Sequence, residues 1–324
     1  MKQAHSVNPE TEATRAHLER HIAAIARQVR RPIKGIYGAE SLTWRINRES
    51  ALFLGAGRAA LLQLAHPWVA AALDQHSSVL DKPIARFHNT FRVVFTMIFG
   101  TSDQAFRAAR ALYRMHTRIT GEMPASVAAY ARGSRYEALQ IPALVWVFAT
   151  LMESAVIAYE CVMPPLNAEE RAAYYAESKI LAGLFGIPGD SLPGDWTEFE
   201  AYVAEMFASQ ALGASELARN MAQRIMTGAG SWIRVPRWYQ ALTAEWMPER
   251  FREEFGLGFG RVEQDVARRA HAWLPRVYAR LPDALRYVGP YHEAQARLLN
   301  QTPGFFAQRC NTFWIGQTQM PFAE

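Results

Sequence analysis

Apolar positions along the chain recur at intervals of three and four, and no period-two alternation lasts more than a few residues, so the pattern predicts helices throughout. Ala, Leu, Arg, Glu and Met are plentiful and runs of Thr and Val are short, which agrees with that reading. Local signals mark the ends. Asn47 suits the cap of a helix over 47–65, and Pro67 suits the first turn of the next. Pro83 opens a helix to Phe99 that Gly100 closes, and Ser102 with Asp103 starts one that Gly121 ends. Asn167 with Glu169 and Glu170 starts another, Thr197 with Glu200 forms a capping box ahead of 199–207, and Ser215 caps a segment to Thr227. Pro236, Pro248, Pro275 and Pro282 cut the last third into shorter helices. Residues 301–324 read as irregular, with Phe305, Phe306, Phe313 and Trp314 placed either to meet solvent or to dock back on the core.

The expected architecture is all-α: an N-terminal helical extension over 1–37, then a single globular multi-helix domain over 38–324 that encloses a pocket. Residues 187–194, with Pro188, Gly189, Pro193 and Gly194, read as a loop inside that domain, because helical patterning continues on both sides. The apolar run 139–162 approaches membrane length, but Pro142 opens it and Glu153 interrupts it, so it reads as a core helix rather than a span.

Composition narrows the function classes. Half of the 324 residues are hydrophobic and only 20% are charged, which excludes a disordered chain and demands a large core. A formal charge of +5 raises the question of nucleic acid. The one basic stretch, Arg15, Arg20, Arg27, Arg30, Arg31 and Lys34, lacks interleaved aromatics, so it reads as a solvated helix face and no nucleic-acid partner is expected. Two distant cysteines, Cys161 and Cys310, and the absence of an apolar core behind the N-terminal lysine lead us to expect a cytoplasmic protein.

Nine histidines are present, and His66, His76, His88 and His116 fall within one stretch of about fifty residues. No His-x-x-x-His, Glu-x-x-His or Cys-x-x-Cys pair accompanies them, which argues against zinc and di-iron sites. His116 shares an apolar helix face with Ala109, Leu112, Tyr113 and Thr120. Such a histidine either hydrogen-bonds a backbone carbonyl in the core or ligates the iron of a flat, apolar macrocycle. One stripe of the preceding helix carries Arg86, Asn89, Thr90, Val93 and Met97, and another carries Phe87, Phe91, Val94, Phe95 and Ile98, so both are expected to be buried. Arg86 and Arg58, in that setting, each need an anion: a haem propionate, or a carboxylate such as Glu49 or Asp81.

Several segments stand together in a known order. They are Trp44-Arg45-Ile46-Asn47-Arg48-Glu49, Gly55-Ala56-Gly57-Arg58, Leu61-Leu62-Gln63-Leu64-Ala65-His66-Pro67 and Asp74-Gln75-His76-Ser77. Arg86-Phe87-His88-Asn89-Thr90, Phe99-Gly100, Met115-His116-Thr117-Arg118-Ile119-Thr120-Gly121 and Leu144-Val145-Trp146-Val147 follow. In these the chain resembles the catalytic domain of rubber oxygenases (latex clearing proteins) and is similar to the endoplasmic-reticulum oxygenase of mycophenolic acid synthesis. The resemblance is strong over 38–195 and loose beyond.

The resemblance implies an all-α fold around haem b, with His116 as the proximal iron ligand and dioxygen cleaving an isoprenoid double bond in the characterised members. Within the family's Arg-x-x-Lys-Thr motif Arg86 and Thr90 carry over, but Asn89 replaces the distal lysine. An amide there donates a hydrogen bond and ligates iron poorly. Thr120 stands where the family places an arginine. The expected cofactor site is therefore His116, Arg86, Arg58, Thr90, Tyr113 and Thr120, with Arg86, Asn89 and Thr90 on the reacting side. Asp74 and Glu153 are candidate acid/base carboxylates. His66-Pro67 and His76-Ser77 also match, His66 reading equally as a helix-terminal residue and His76 as a helix C-terminal cap; His88 points away from the site. The expected function is a haem-dependent oxygenase taking dioxygen and an apolar or aromatic small substrate. The alternatives are a non-catalytic haem carrier or gas sensor and a helical lipid-binding protein, and the oligomeric state is left open.

Overall fold

The computed structural model describes residues 11–76, 83–229 and 234–322. Helix α1 (Arg15–Gln28) precedes α2 (Leu42–Asn47), α3 (Ala56–Leu64) and α4 (Pro67–His76). Then come α5 (Pro83–Phe99) and α6 (Ser102–His116), a small hairpin of β1 (Thr120–Glu122) and β2 (Arg135–Glu137), and the long α7 (Ile141–Glu160). The rest is α8 (Ala168–Leu184), α9 (Trp196–Ala208), α10 (Glu216–Thr227), α11 (Arg237–Trp246) and α12 (Glu249–Phe255). It closes with α13 (Arg261–Tyr278), α14 (Asp283–Arg286), α15 (Gly289–Leu298) and α16 (Phe305–Ile315). The fold is all-α apart from the hairpin, which pairs Thr120 with Glu137 and Gly121 with Tyr136 antiparallel.

Helix α7 is the axis of the core. It is long and apolar enough to cross a membrane, yet most of its apolar window is enclosed by protein. Pro142 sits in its first turn, where a missing amide costs nothing. Helices α2, α3 and α8 pack around it, α11 pairs with α13, and α15 with α16 forms a hairpin laid against α5. Helix α1 docks on α8 and α6 through Leu18 and Ile22, so the N-terminal extension is part of the packed body.

Several boundaries follow the local signals. Asn167 caps α8 with Glu170 in a reciprocal box, Ser215 caps α10, and Pro67 and Pro83 open α4 and α5. Others are moved by tertiary structure. The helix expected over 47–65 is broken: Asn47 ends α2, a tight turn spans Ser50–Leu54, and α3 starts at Ala56. The cause is Glu49, wholly buried and gripped by Arg286 at 2.7 and 3.0 Å and by the Tyr278 hydroxyl at 2.9 Å. Gly55 then lets the Ser154 carbonyl of α7 come so close that any side chain there would collide with it.

Thr101 rather than Ser102 caps α6, which stops at His116 instead of reaching Gly121. Asp195 rather than Thr197 caps α9, accepting from the Glu198 amide at 2.9 Å. Pro275 lies inside α13 without ending it, because the carbonyl it leaves unpaired belongs to exposed His271. The segment expected to be irregular contains α16, whose Ile315 is buried and whose Trp314 stacks on Phe53 at 4.2 Å, while Phe305, Phe306 and Phe313 face solvent.

Candidate active site

Helices α5 and α6 are joined by only Gly100 and Thr101 and pack along each other, so they form an antiparallel hairpin. Equal rise on both arms brings Met97 level with Ala105, Val93 with Ala109, Asn89 and Thr90 with Tyr113 and Leu112, and position 86 with His116. The two stripes singled out in the sequence therefore confront each other. At the closed end, Phe95 to Phe99 of α5 and Ala105, Ala108 and Ala109 of α6 are buried, the alanines permitting close approach. At the open end Asn89 and Thr90 are exposed rather than buried, and His116 is half-buried. The side chain of Arg86 lies outside the described residues, as does Asp81.

The His116 Nδ1 is buried with no hydrogen-bond partner, and burial pushes the imidazole pKa down to about 4, so it is neutral at pH 7. With Tyr113, Thr117 and Thr120 it lines a cavity of about 260 Å³ whose other walls are Glu12, Ala13 and Thr14 of the N-terminal segment and Glu137 and Leu139. That segment is held by the Ala13 amide donating to the Leu139 carbonyl at 2.8 Å and by pairing of Glu12 with Gln140. The Glu12 carboxyl is hydrogen-bonded to Glu137. This bond, then burial and the Glu137 charge, raise its pKa to about 7 against the pull of Arg135. Glu12 and Glu137 were not singled out in the sequence. Nothing in a lone glutamate of an N-terminal extension signals that it meets another across a strand.

Arg58 is placed elsewhere. Its guanidinium, 2% exposed, is fully engaged: Nε donates to the Trp246 carbonyl at 2.8 Å, one terminal nitrogen to Ser154 Oγ at 3.0 Å, and the other pairs with Glu153 at 2.7 Å. Its anion is thus Glu153, not Glu49, and Glu153 is tied up in the same pair. Asp74 is exposed on α4.

His66 is fully buried beside Trp68 and Tyr130, its Nδ1 without a partner, its Nε2 3.4 Å from the Tyr130 hydroxyl, and its pKa pushed down to about 4 by burial. His76 reaches across to the Thr120 carbonyl at 2.9 Å instead of capping its own helix. His88 bonds the Phe313 carbonyl of α16 at 3.0 Å, away from the site.

Among the described residues no cluster of three or more His, Cys, Asp or Glu side chains is arranged to hold a metal ion. An iron held here would have to bring most of its own ligands, as a macrocycle does. No curated protein and no solved structure matches the chain significantly. One family model does match, over residues 43–280, which include Arg58, His66, the whole α5–α6 hairpin and Glu137 but not Glu12. On that match over most of its length, the chain belongs to the family of the ER-bound oxygenase mpaB/B' and rubber oxygenase catalytic domain.

Proposed function

We propose that the chain is a haem-b-dependent oxygenase that uses dioxygen on an apolar or aromatic small substrate, with His116 as the protein ligand of the iron. The observation that carries this reading is the neutral His116 imidazole with an unpartnered nitrogen at the open end of the α5–α6 hairpin, level with exposed Asn89 and Thr90. A neutral imidazole is the form that ligates iron. The cavity of about 260 Å³ does not by itself enclose a macrocycle, but the exposed ends of α5 and α6 extend the available surface beyond it. The donor and its setting fit the cofactor.

Haem, when bound, supplies the iron that binds dioxygen. Around it this chain provides His116 as anchor, Tyr113 and Thr120 as walls, and the Thr90 hydroxyl and Asn89 amide as hydrogen-bonding groups. Arg58 is satisfied by Glu153, so the charge partner for a propionate falls to Arg86. As part of the same reading we place the protein in the cytoplasm, in keeping with its two unpaired cysteines.

A non-catalytic haem carrier or gas sensor is the second reading. It is favoured by Asn89, which donates but does not ligate, and by Glu153 being occupied and Asp74 exposed. The absorption spectrum of the purified protein with a pyridine haemochrome test decides for or against haem b, about one per chain being expected. A colourless protein that also fails to take up haemin would sink the proposal. Dioxygen consumption with isoprenoid and aromatic substrates then separates oxygenase from carrier.

A further inference from the structure

Two polar atoms are buried without hydrogen-bond partners on residues that line the same cavity: His116 Nδ1 and Glu12 Oε1. Each would cost about 1–3 kcal/mol if left unsatisfied. A volume of about 260 Å³ has room for several waters, at about 30 Å³ apiece, and its walls are polar enough to hold them. Water is therefore the natural bridge between the two.

The direction of that bridge is set by chemistry. Glu12 is joined to Glu137, and Glu137 is paired with Arg135 at 3.3 Å, so the carboxyl pair is fixed in place. The Glu12 oxygen left over bears no proton and can only accept. The other polar groups facing His116 are committed or neutral: the Thr117 hydroxyl donates to the Arg114 carbonyl at 2.9 Å, and the Thr120 carbonyl already accepts from His76. Arg114 and Arg118 are exposed, and Tyr113 contributes a hydroxyl. An acceptor on the far wall asks for a donor on the histidine.

We infer that the Glu12–Glu137 carboxyl pair is a positioning device for His116, accepting its Nδ1 proton through cavity water and so fixing the tautomer that leaves Nε2 free to coordinate. The purpose of the device rests on His116 being the iron ligand, whereas the tautomer itself does not. A carboxylate behind a ligating histidine orients the ring and raises its basicity, and losing it typically lowers metal affinity by about 10–100-fold. Glu12 lies before the family-matched residues, so the N-terminal segment contributes to the site from outside the shared domain.

The test is long-range ¹H–¹⁵N correlation on the full chain labelled at histidine, at pH 7 without haem, with His116 assigned by its loss in His116→Gln. The expected resting form is Nδ1–H. In the Glu12→Leu/Glu137→Leu double variant the population should move to Nε2–H, and haemin affinity should drop about 10–100-fold. Glu137→Gln, which keeps the shape, serves as the milder variant should the double one fold poorly. A resting Nε2–H form in the unaltered chain overturns the inference, and so does an Nδ1–H form indifferent to loss of both glutamates. If the tautomer responds as expected but haemin is never bound, the positioning role stands and the haem reading fails.

Discussion

Replacing Glu153 with alanine strands the Arg58 guanidinium in the interior. Removing one partner of a buried pair costs about 3–5 kcal/mol. The Glu153 side chain is 25% exposed and Arg58 keeps its bonds to Trp246 and Ser154, which puts the expected loss at about 3 kcal/mol, the lower end of that range. With an unfolding entropy of about 2.1 cal/mol/K per residue, a chain of 324 residues should lose about 4 °C in Tm. Thermal unfolding followed by circular dichroism measures it, with urea titration as a second route. The double variant Arg58→Met/Glu153→Leu should be more stable than Glu153→Ala, since it removes both charges and fills the space. Haem content should be unaffected by Arg58→Met beyond what its lower stability explains. A Tm change under about 1 °C for Glu153→Ala would refute the pairing. Haem loss in Arg58→Met at unchanged stability would return Arg58 to the cofactor.

His116→Ala should lose most bound haem while staying folded, read from the Soret band and far-ultraviolet circular dichroism; an unchanged Soret band would move the ligand to His66. Stability should fall by about 1.4 kcal/mol per unit as pH drops from about 6 to 5, measured by urea unfolding. The sign follows because His66 and His116 stay neutral when folded down to about pH 4 but take up protons from about 6.5 when unfolded, while Glu12, protonated when folded up to about 7, offsets one of those two protons. A flat profile would show that the imidazoles are not buried. Asn89→Lys should add a neutral amine ligand and shift the haem spectrum towards six-coordinate low spin as pH rises to about 10. No spectral change across that range would place Asn89 away from the iron.

What could be read from the sequence was local chemistry. The caps at Asn167 and Ser215, Pro67 at the start of α4 and the Pro83-to-Gly100 frame of α5 all act within one or two turns, and they stand where they were expected. The helix over 47–65 failed because Glu49 is held by Arg286 from the far end of the chain, and α16 was missed because its order comes from packing Trp314 on Phe53. Arg58 shows the boundary most plainly. A basic residue in the middle of an apolar helix announces that an anion is near, but periodicity does not say which one, and the partner on α7 is known only once α3 and α7 are packed. Glu12 and Glu137 carry no such announcement, since each is an ordinary solvated residue until the N-terminal segment crosses the strand.

Two buried imidazoles with unpartnered nitrogens remain, His66 and His116, and the same pKa depression marks both, so electrostatics does not choose between them. Space does. His66 is 1% exposed, its ring is flanked by Trp68 and Tyr130, and its Nε2 faces the Tyr130 hydroxyl, so a macrocycle could approach it only by displacing packed aromatic rings. Displacing such rings sacrifices contacts throughout the core around them. His116 stands at the end of its helix, beside a cavity on one side and level with two exposed polar residues of α5, where a flat group can be received without repacking. A histidine at the rim of a hairpin, neutral by burial and open on one edge, meets the demands of an iron ligand that one sealed beneath aromatic rings does not.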